Sequence, residues 1–123
     1  MRRVADRLRS LSDIRLARPV TLAAQPAQAA QPAQEPSRAD AAHALAQLMA
    51  DRAAQLEGVP GRPVPRLHDL AVGDQVAVTG LDLVDAALAA LAAEAAGTET
   101  LGGQAQEALR EATSACQDLL ATL

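Results

Sequence analysis

Residues 70–96 read LAVGDQVAVTGLDLVDAALAALAAEAA, and this stretch decides the fold. Apolar residues recur along it at helical spacing without a break in phase, which is typical of one face of an α-helix. Residues 74–79 also alternate like a β-strand, but no partner strand is evident and a lone hairpin is marginally stable in water. We therefore predict one long helix over about residues 70–96, with Asp69 as its N-cap. Its apolar stripe comprises Val72, Val76, Leu83, Ala87 and Leu91.

Three small residues of this helix, Gly73, Ala77 and Gly80, lie on one face at steps of four and three. Glycine is about 1 kcal/mol less favourable than alanine inside a helix, so two glycines weaken it unless they serve packing. We expect another backbone to approach this smooth strip closely.

A second helix is predicted to begin after Ser37, because Ser37 and Asp40 match a capping box. Gly58 supplies the left-handed residue that commonly ends a helix. Between these ends, one stripe of apolar side chains repeats at helical spacing. Its members are Ala42, Leu45, Met49, Ala53 and Leu56.

Proline-rich residues 59–69 separate the two helices and predict an ordered, extended connection, because proline lacks the donor that a helix or central strand needs. After a turn at residues 97–103, a last helix is predicted over about residues 104–122, with Cys116 on its apolar stripe. Three helices with short or ordered connections favour an antiparallel bundle over residues 37–123. The predicted fold class is therefore all-α.

Residues 1–18 predict a basic amphipathic helix that precedes this bundle. They contain six Arg and two Asp, a balance of +4, whereas residues 37–123 carry five Arg and twelve acids, a balance of −7. Val4, Leu8 and Leu11 form its narrow apolar stripe. Such a helix suits an anionic membrane surface, nucleic acid phosphates or the acidic body of the same chain. The candidate binding residues are Arg2, Arg3, Arg7 and Arg9.

Residues 19–36 are predicted to be a disordered Ala/Gln/Pro linker. The six residues AAQPAQ occur twice in tandem over residues 23–34, so prolines recur and no large side chain is available to bury. This composition is typical of an extended, solvated spacer.

Composition excludes several classes of function. The chain has 123 residues, 31 of them Ala, and contains no Phe, Tyr, Trp or Lys. Without aromatic rings it cannot stack on single-stranded nucleic acid or form an aromatic cage. One Cys excludes an intrachain disulfide, and the longest uninterrupted apolar run, residues 86–93, is shorter than the roughly 20 residues of a membrane span. We expect a cytoplasmic protein with no transmembrane insertion and no signal peptide.

Groups suited to catalysis are few. The most concentrated cluster is Arg66, His68 and Asp69, a candidate anion-binding or acid–base site at the start of the long helix. His43 is expected to be a solvated surface imidazole, and Cys116 a small hydrophobe with a raised thiol pKa. The two His and the Cys lack metal-ligand spacing, so we predict no catalytic residue, no metal and no cofactor.

The run PVPRLHDLAVGDQVAVTGLDLV at residues 63–84 and the Arg-rich residues 2–18 resemble segments of small uncharacterised helical proteins of high-GC actinobacteria. The resemblance covers about a third of the chain. It implies a bacterial cytoplasmic setting and a helical fold, and it implies no activity and no site residue.

Two hypotheses for function follow. The first is a non-enzymatic interaction or scaffold protein that self-associates through Ala/Leu helix faces, because a core without rings buries little area and leaves a monomer marginally stable. Its partner is itself or another protein. The alternative is a small regulatory or antitoxin-like DNA-binding protein that places its basic N-terminal helix on phosphates.

Overall fold

A computed structural model describes residues 1–11, 16–17, 36–98 and 100–123. Within these ranges the chain is helical, with no β-strand, so the all-α prediction is confirmed. The helices are α1 (Arg2–Arg9), α2 (Arg38–Glu57), α3 (Val72–Ala95) and α4 (Gly102–Thr122), and a 3₁₀ turn (Asp69–Ala71) leads into α3. The linker prediction falls, apart from residue 36, outside the described residues.

The two ends of α2 follow the local signals in the sequence. Ser37 Oγ accepts a hydrogen bond from the Asp40 N–H at 3.1 Å, and the Ser37 N–H donates to the Asp40 carboxylate at 3.0 Å. Gly58 ends the helix in the left-handed region, with φ at 68°. The capping box and the glycine stop are both confirmed.

Replacing Ser37 with alanine is expected to lower the free energy of unfolding by about 1 kcal/mol, because the Asp40 N–H loses its acceptor. Hydrogen bonds with Ser37 also hold the pKa of Asp40 below its ordinary value. Ionised Asp40 therefore adds stability above its unfolded pKa, and this contribution disappears as the pH falls through the lower folded pKa, below about 4. Acidification should cost the S37A variant less stability than it costs the wild type.

Urea unfolding at about pH 7 and about pH 3 measures both effects of the Ser37 substitution. Ser114→Ala is the matched control, because Ser114 is exposed inside α4 and caps no helix. Equal acid losses in S37A and the wild type would contradict the role given to the capping box.

The connection after α2 runs back along that helix. Val64 donates its N–H to Gln47 Oε1 at 2.6 Å, and its carbonyl lies 3.0 Å from His43 Nε2. Further on, Arg66 Nη2 lies 2.6 Å from Asp40 Oδ1, in the first turn of α2. Because the connection returns to the start of α2, α3 begins there as well. The two helices run parallel to each other.

The last helix runs the other way. After the turn at Gly97, whose φ is 74°, α4 returns along α2 and α3 and is antiparallel to both. Arg52 and Glu111 join α2 to α4 through two hydrogen bonds, Nε to Oε2 at 2.6 Å and Nη2 to Oε1 at 3.0 Å. These bonds lower the pKa of Glu111 and raise that of Arg52. The predicted bundle thus contains two antiparallel helix pairs and one parallel pair.

Two local predictions about polar residues were wrong. We expected His43 to be a solvated imidazole, but it is half-buried and hydrogen-bonded to the connection. The expectation failed because the return of residues 59–68 along α2 cannot be recognised from the sequence. Asp69 does not cap the long helix: it lies inside the 3₁₀ turn, and the N-cap position of α3 is Ala71, with no side-chain cap.

The basic helix ends at Arg9, well before the predicted residue 18, and it docks on the bundle. Val4, Ala5 and Leu8 of α1 are fully or almost fully buried. A Cβ at Gly73 would lie 3.0 Å from the Ala5 carbonyl oxygen, and one at Gly80 would lie 2.8 Å from the Met1 sulfur. The helix therefore packs antiparallel along the predicted glycine strip of α3, which confirms the strip and identifies the backbone that approaches it.

The core is built from aliphatic side chains of all four helices and of Leu11 and Leu16. Its largest fully buried members are Leu8, Leu16, Met49, Leu83, Val4 and Val76. On α4 the buried side chains include Ala105, Ala112, Cys116 and Leu119, as the helical spacing predicts. The difference is that Ala108 is buried and the neighbouring Leu109 is only half-buried.

One helix among the described residues, Asp69–Ala95, is long and apolar enough to cross a membrane by length and composition alone. Isolated acids such as Asp82 and Asp85 interrupt its apolar runs, but they leave the helix apolar on average. Core helices of soluble proteins pass the same test. In this fold α3 contacts each of the other three helices, and 39% of its most apolar window is buried.

Candidate functional site

A line of large aliphatic side chains remains exposed on α3. Val78, Leu81 and Leu88 are 57%, 55% and 58% exposed, respectively. With Asp85 and Ala92 they follow steps of three, four, three and four, which is the spacing of a coiled-coil seam. We call these five residues the α3 stripe. A central helix that is apolar on its outer face offers a contact surface for a partner.

An open groove runs beside the α3 stripe, between α1, α3 and α4, and has a volume of about 930 Å³. Leu81 belongs to both features, so groove and stripe form one continuous surface. The apolar lining comes from Ala77, Leu81 and Val84 of α3 and from Leu109, Cys116 and Leu120 of α4.

Charges of opposite sign flank the α3 stripe. Arg2 and Arg3 line the groove on the side where α1 packs, and both are exposed. Asp82 lies on the other side, beside residues of α2, and Asp85 of the stripe itself borders that side. Within the described part of the chain, none of these four residues forms an ion pair. The surface therefore has one basic and one acidic flank, both open to solvent.

The other two predicted arginines of α1 are engaged by their own chain. Arg9 Nε lies 2.6 Å from Asp74 Oδ1, and its Nη1 lies 3.2 Å from Asp6 Oδ1. Arg7 Nη2 lies 3.4 Å from the carbonyl oxygen of Leu123. The four candidate arginines thus divide into two that hold α1 to the bundle and two that face outward.

The predicted anion site is already neutralised. The structure brings Arg66, His68 and Asp69 together at the start of α3, but the Arg66 guanidinium contacts two carboxylates, Asp40 at 2.6 Å and Asp69 at 3.5 Å. Two negative charges around one positive charge disfavour an incoming anion. His68 is exposed beside them and adds no enclosed pocket.

Groups suited to nucleophilic or metal chemistry are not assembled in the described residues. Cys116 is 4% exposed, and burial raises the pKa of its thiol, as the sequence predicted. A thiol in that state is a poor nucleophile at neutral pH. No group of three or more His, Cys, Asp or Glu side chains close enough to hold a metal ion occurs among residues 1–11, 16–17, 36–98 and 100–123.

The α3 stripe does not stand out in the sequence, because α3 is apolar on nearly every face. Its buried positions include small residues such as Ala86 and Ala90, while Leu81 and Leu88 point outward. Residue size therefore does not separate the inside of this helix from its outside. The spacing of Val78, Leu81, Asp85 and Leu88 was the available signal.

No protein-family model, curated protein or solved structure matches this chain.

Proposed function

We propose that this chain is a small non-enzymatic interaction protein that self-associates through the α3 stripe. The observation that carries the proposal is the alignment of three large aliphatic side chains, each more than half exposed, along the central helix. Fully burying a Val or Leu side chain contributes about 1.5–3 kcal/mol, so covering the exposed half of six such side chains in a dimer contributes on the order of 6 kcal/mol.

The state of the titratable groups supports an interaction role over catalysis. The thiol of Cys116 is buried, the charge of Arg66 is neutralised by two carboxylates, and His43 is hydrogen-bonded to the backbone at Val64. Of these three residues only Cys116 lines the groove beside the α3 stripe. Burial raises the pKa of its thiol, which makes the thiol a weak nucleophile at neutral pH.

Sedimentation equilibrium of the full chain tests self-association. We expect the apparent mass to rise with concentration in the micromolar range and Leu88→Asp to shift the protein to monomer, because a carboxylate would be buried in the seam. Leu67→Asp is the matched control, since Leu67 is 51% exposed in the connection, away from the α3 stripe. A wild-type chain that stays monomeric throughout this range would overturn the proposed function.

The DNA-binding alternative draws on the two outward-facing arginines, Arg2 and Arg3. It has less support than self-association, because Arg7 and Arg9 are engaged within the chain and residues 37–123 carry a balance of −7. Binding through this helix would weaken with salt by a slope of about −0.9 per neutralised phosphate. A gel shift that is absent at low salt, or insensitive to salt, would remove this alternative.

A further inference from the structure

We propose that the α3 stripe pairs with that of a second copy of this chain in a parallel two-fold dimer, in which Arg2 and Arg3 of each protomer meet Asp82 and Asp85 of the other. This inference rests on the proposed self-association and adds the partner's orientation and the ionic contacts that select it.

The order of charges around α3 determines the orientation. Seen from outside, the α3 stripe lies between α1, which packs at Gly73 and Gly80, and the acidic flank beside α2. A two-fold axis along the helices brings the basic flank of one protomer against the acidic flank of the other. An axis across the helices makes them antiparallel and places like charges together. Opposite charges favour the parallel arrangement, and like charges oppose the other one.

Asp85 gives this pairing a second reason. It occupies a seam position between Leu81 and Leu88, where a parallel partner helix would remove its carboxylate from water and bring it beside its own copy. A buried carboxylate without a partner is costly, so a dimer through this seam needs a cation close to Asp85. The first turn of α1 lies beside Gly80 and Val84, and it places the guanidinium groups of Arg2 and Arg3 on the side from which the other protomer's Asp85 is approached.

The size of the surface is sufficient for a weak, specific dimer. α3 has 24 residues. At 1.5 Å per residue it is about 36 Å long, and a strip about 20 Å wide, covering α3 and one flanking helix, has an area of about 700 Å². Stable interfaces bury about 800 Å² on each partner. Because association also costs the translational and rotational freedom of two molecules, the stripe alone gives little surplus and the ionic flanks set the specificity.

Charge reversal tests the ionic contacts. We expect Arg2→Glu/Arg3→Glu and Asp82→Arg/Asp85→Arg each to raise the dimer dissociation constant about tenfold or more at low salt, a change of about 1.4 kcal/mol. Mixed together, the two variants should form a heterodimer, because an all-acidic protomer then meets an all-basic one. Arg110→Glu, at an exposed site on α4, is the control and should leave the dissociation constant unchanged. Sedimentation equilibrium measures all four samples.

Cysteine cross-linking tests the orientation. In a Cys116→Ala background, Val78→Cys and Leu88→Cys place thiols about 15 Å apart along α3, since ten residues separate them. A parallel dimer cross-links each variant to itself under oxidation. An antiparallel dimer does not allow both variants to self-link, and centred between these positions it cross-links only their mixture.

The outcomes separate this inference from the proposed function. A wild-type dimer whose charge-reversed variants form no heterodimer, or in which the two cysteine variants do not both self-link, overturns the inference and leaves self-association in place. A wild-type monomer overturns both.

Discussion

Replacing Leu83 with alanine is expected to lower the free energy of unfolding by about 3 kcal/mol, within the range for buried Leu-to-Ala changes. Leu83 is fully buried in α3 and is one of the largest side chains in the core. Its neighbourhood is rich in alanine, and an alanine has no side-chain rotamer with which to fill the cavity left behind. An ordinary domain has a free energy of unfolding of about 5–15 kcal/mol, so this loss is a substantial part of the total stability.

Urea unfolding followed by far-ultraviolet circular dichroism measures this effect, because the chain has no Trp or Tyr to report by fluorescence. Leu67→Ala is the control, since that leucine is 51% exposed in the connection, and its loss should change the stability by less than about 0.5 kcal/mol. Similar effects at the two sites would mean that Leu83 does not lie in the core as described.

The sequence predicted those parts of the fold that short-range chemistry determines. Ser37, Asp40 and Gly58 fix the ends of α2 through contacts within a few residues, and these signals can be seen without knowing the rest of the fold. The long helix over residues 72–95 was also predicted, because its stripe keeps one phase over several turns.

The direction of α3 depends on contacts that no local pattern reveals. Gln47 and His43 hold Val64 through hydrogen bonds between residues 17 and 21 positions apart. These bonds lay the connection back along α2 and bring α3 to the start of that helix. Nothing in the sequence distinguishes Gln47 or His43 from an ordinary surface residue. The parallel arrangement of α2 and α3 therefore could not be predicted.

The candidate site was predictable only in part. The arginines of α1 were identified, but the division between Arg2 and Arg3, which face outward, and Arg7 and Arg9, which contact the chain itself, depends on where α1 docks. The glycine strip was predicted without its occupant, because nothing in the composition of α1 marks it as the backbone that fits against α3.

Replacing Gly73 with valine is expected to detach α1 and to lower the free energy of unfolding by about 2 kcal/mol, within the range for overpacked sites. A Cβ at this position would lie 3.0 Å from the carbonyl oxygen of Ala5 and 3.1 Å from the backbone nitrogen of Arg9. These atoms belong to the backbone of α1, so the helix can make room for the valine side chain only by moving away as a whole. Hydrogen exchange measures the detachment, because a helix of eight residues is unstable by itself and its amides lose protection.

Two further glycines of the bundle make the Gly73 experiment specific. Valine at Gly80 meets the side chain of Met1, whose flexible end can swing aside, and valine at Gly103 of α4 meets open space, so both variants should keep α1 protected. Protection of α1 in the Gly73→Val variant would show that the glycine strip is not its docking site.

If α1 detaches from the bundle, Arg2 and Arg3 move away from the edge of the α3 stripe with it. The same variant should then weaken the dimer, although less than the Arg2→Glu/Arg3→Glu change, because the attraction is lost without like charges taking its place.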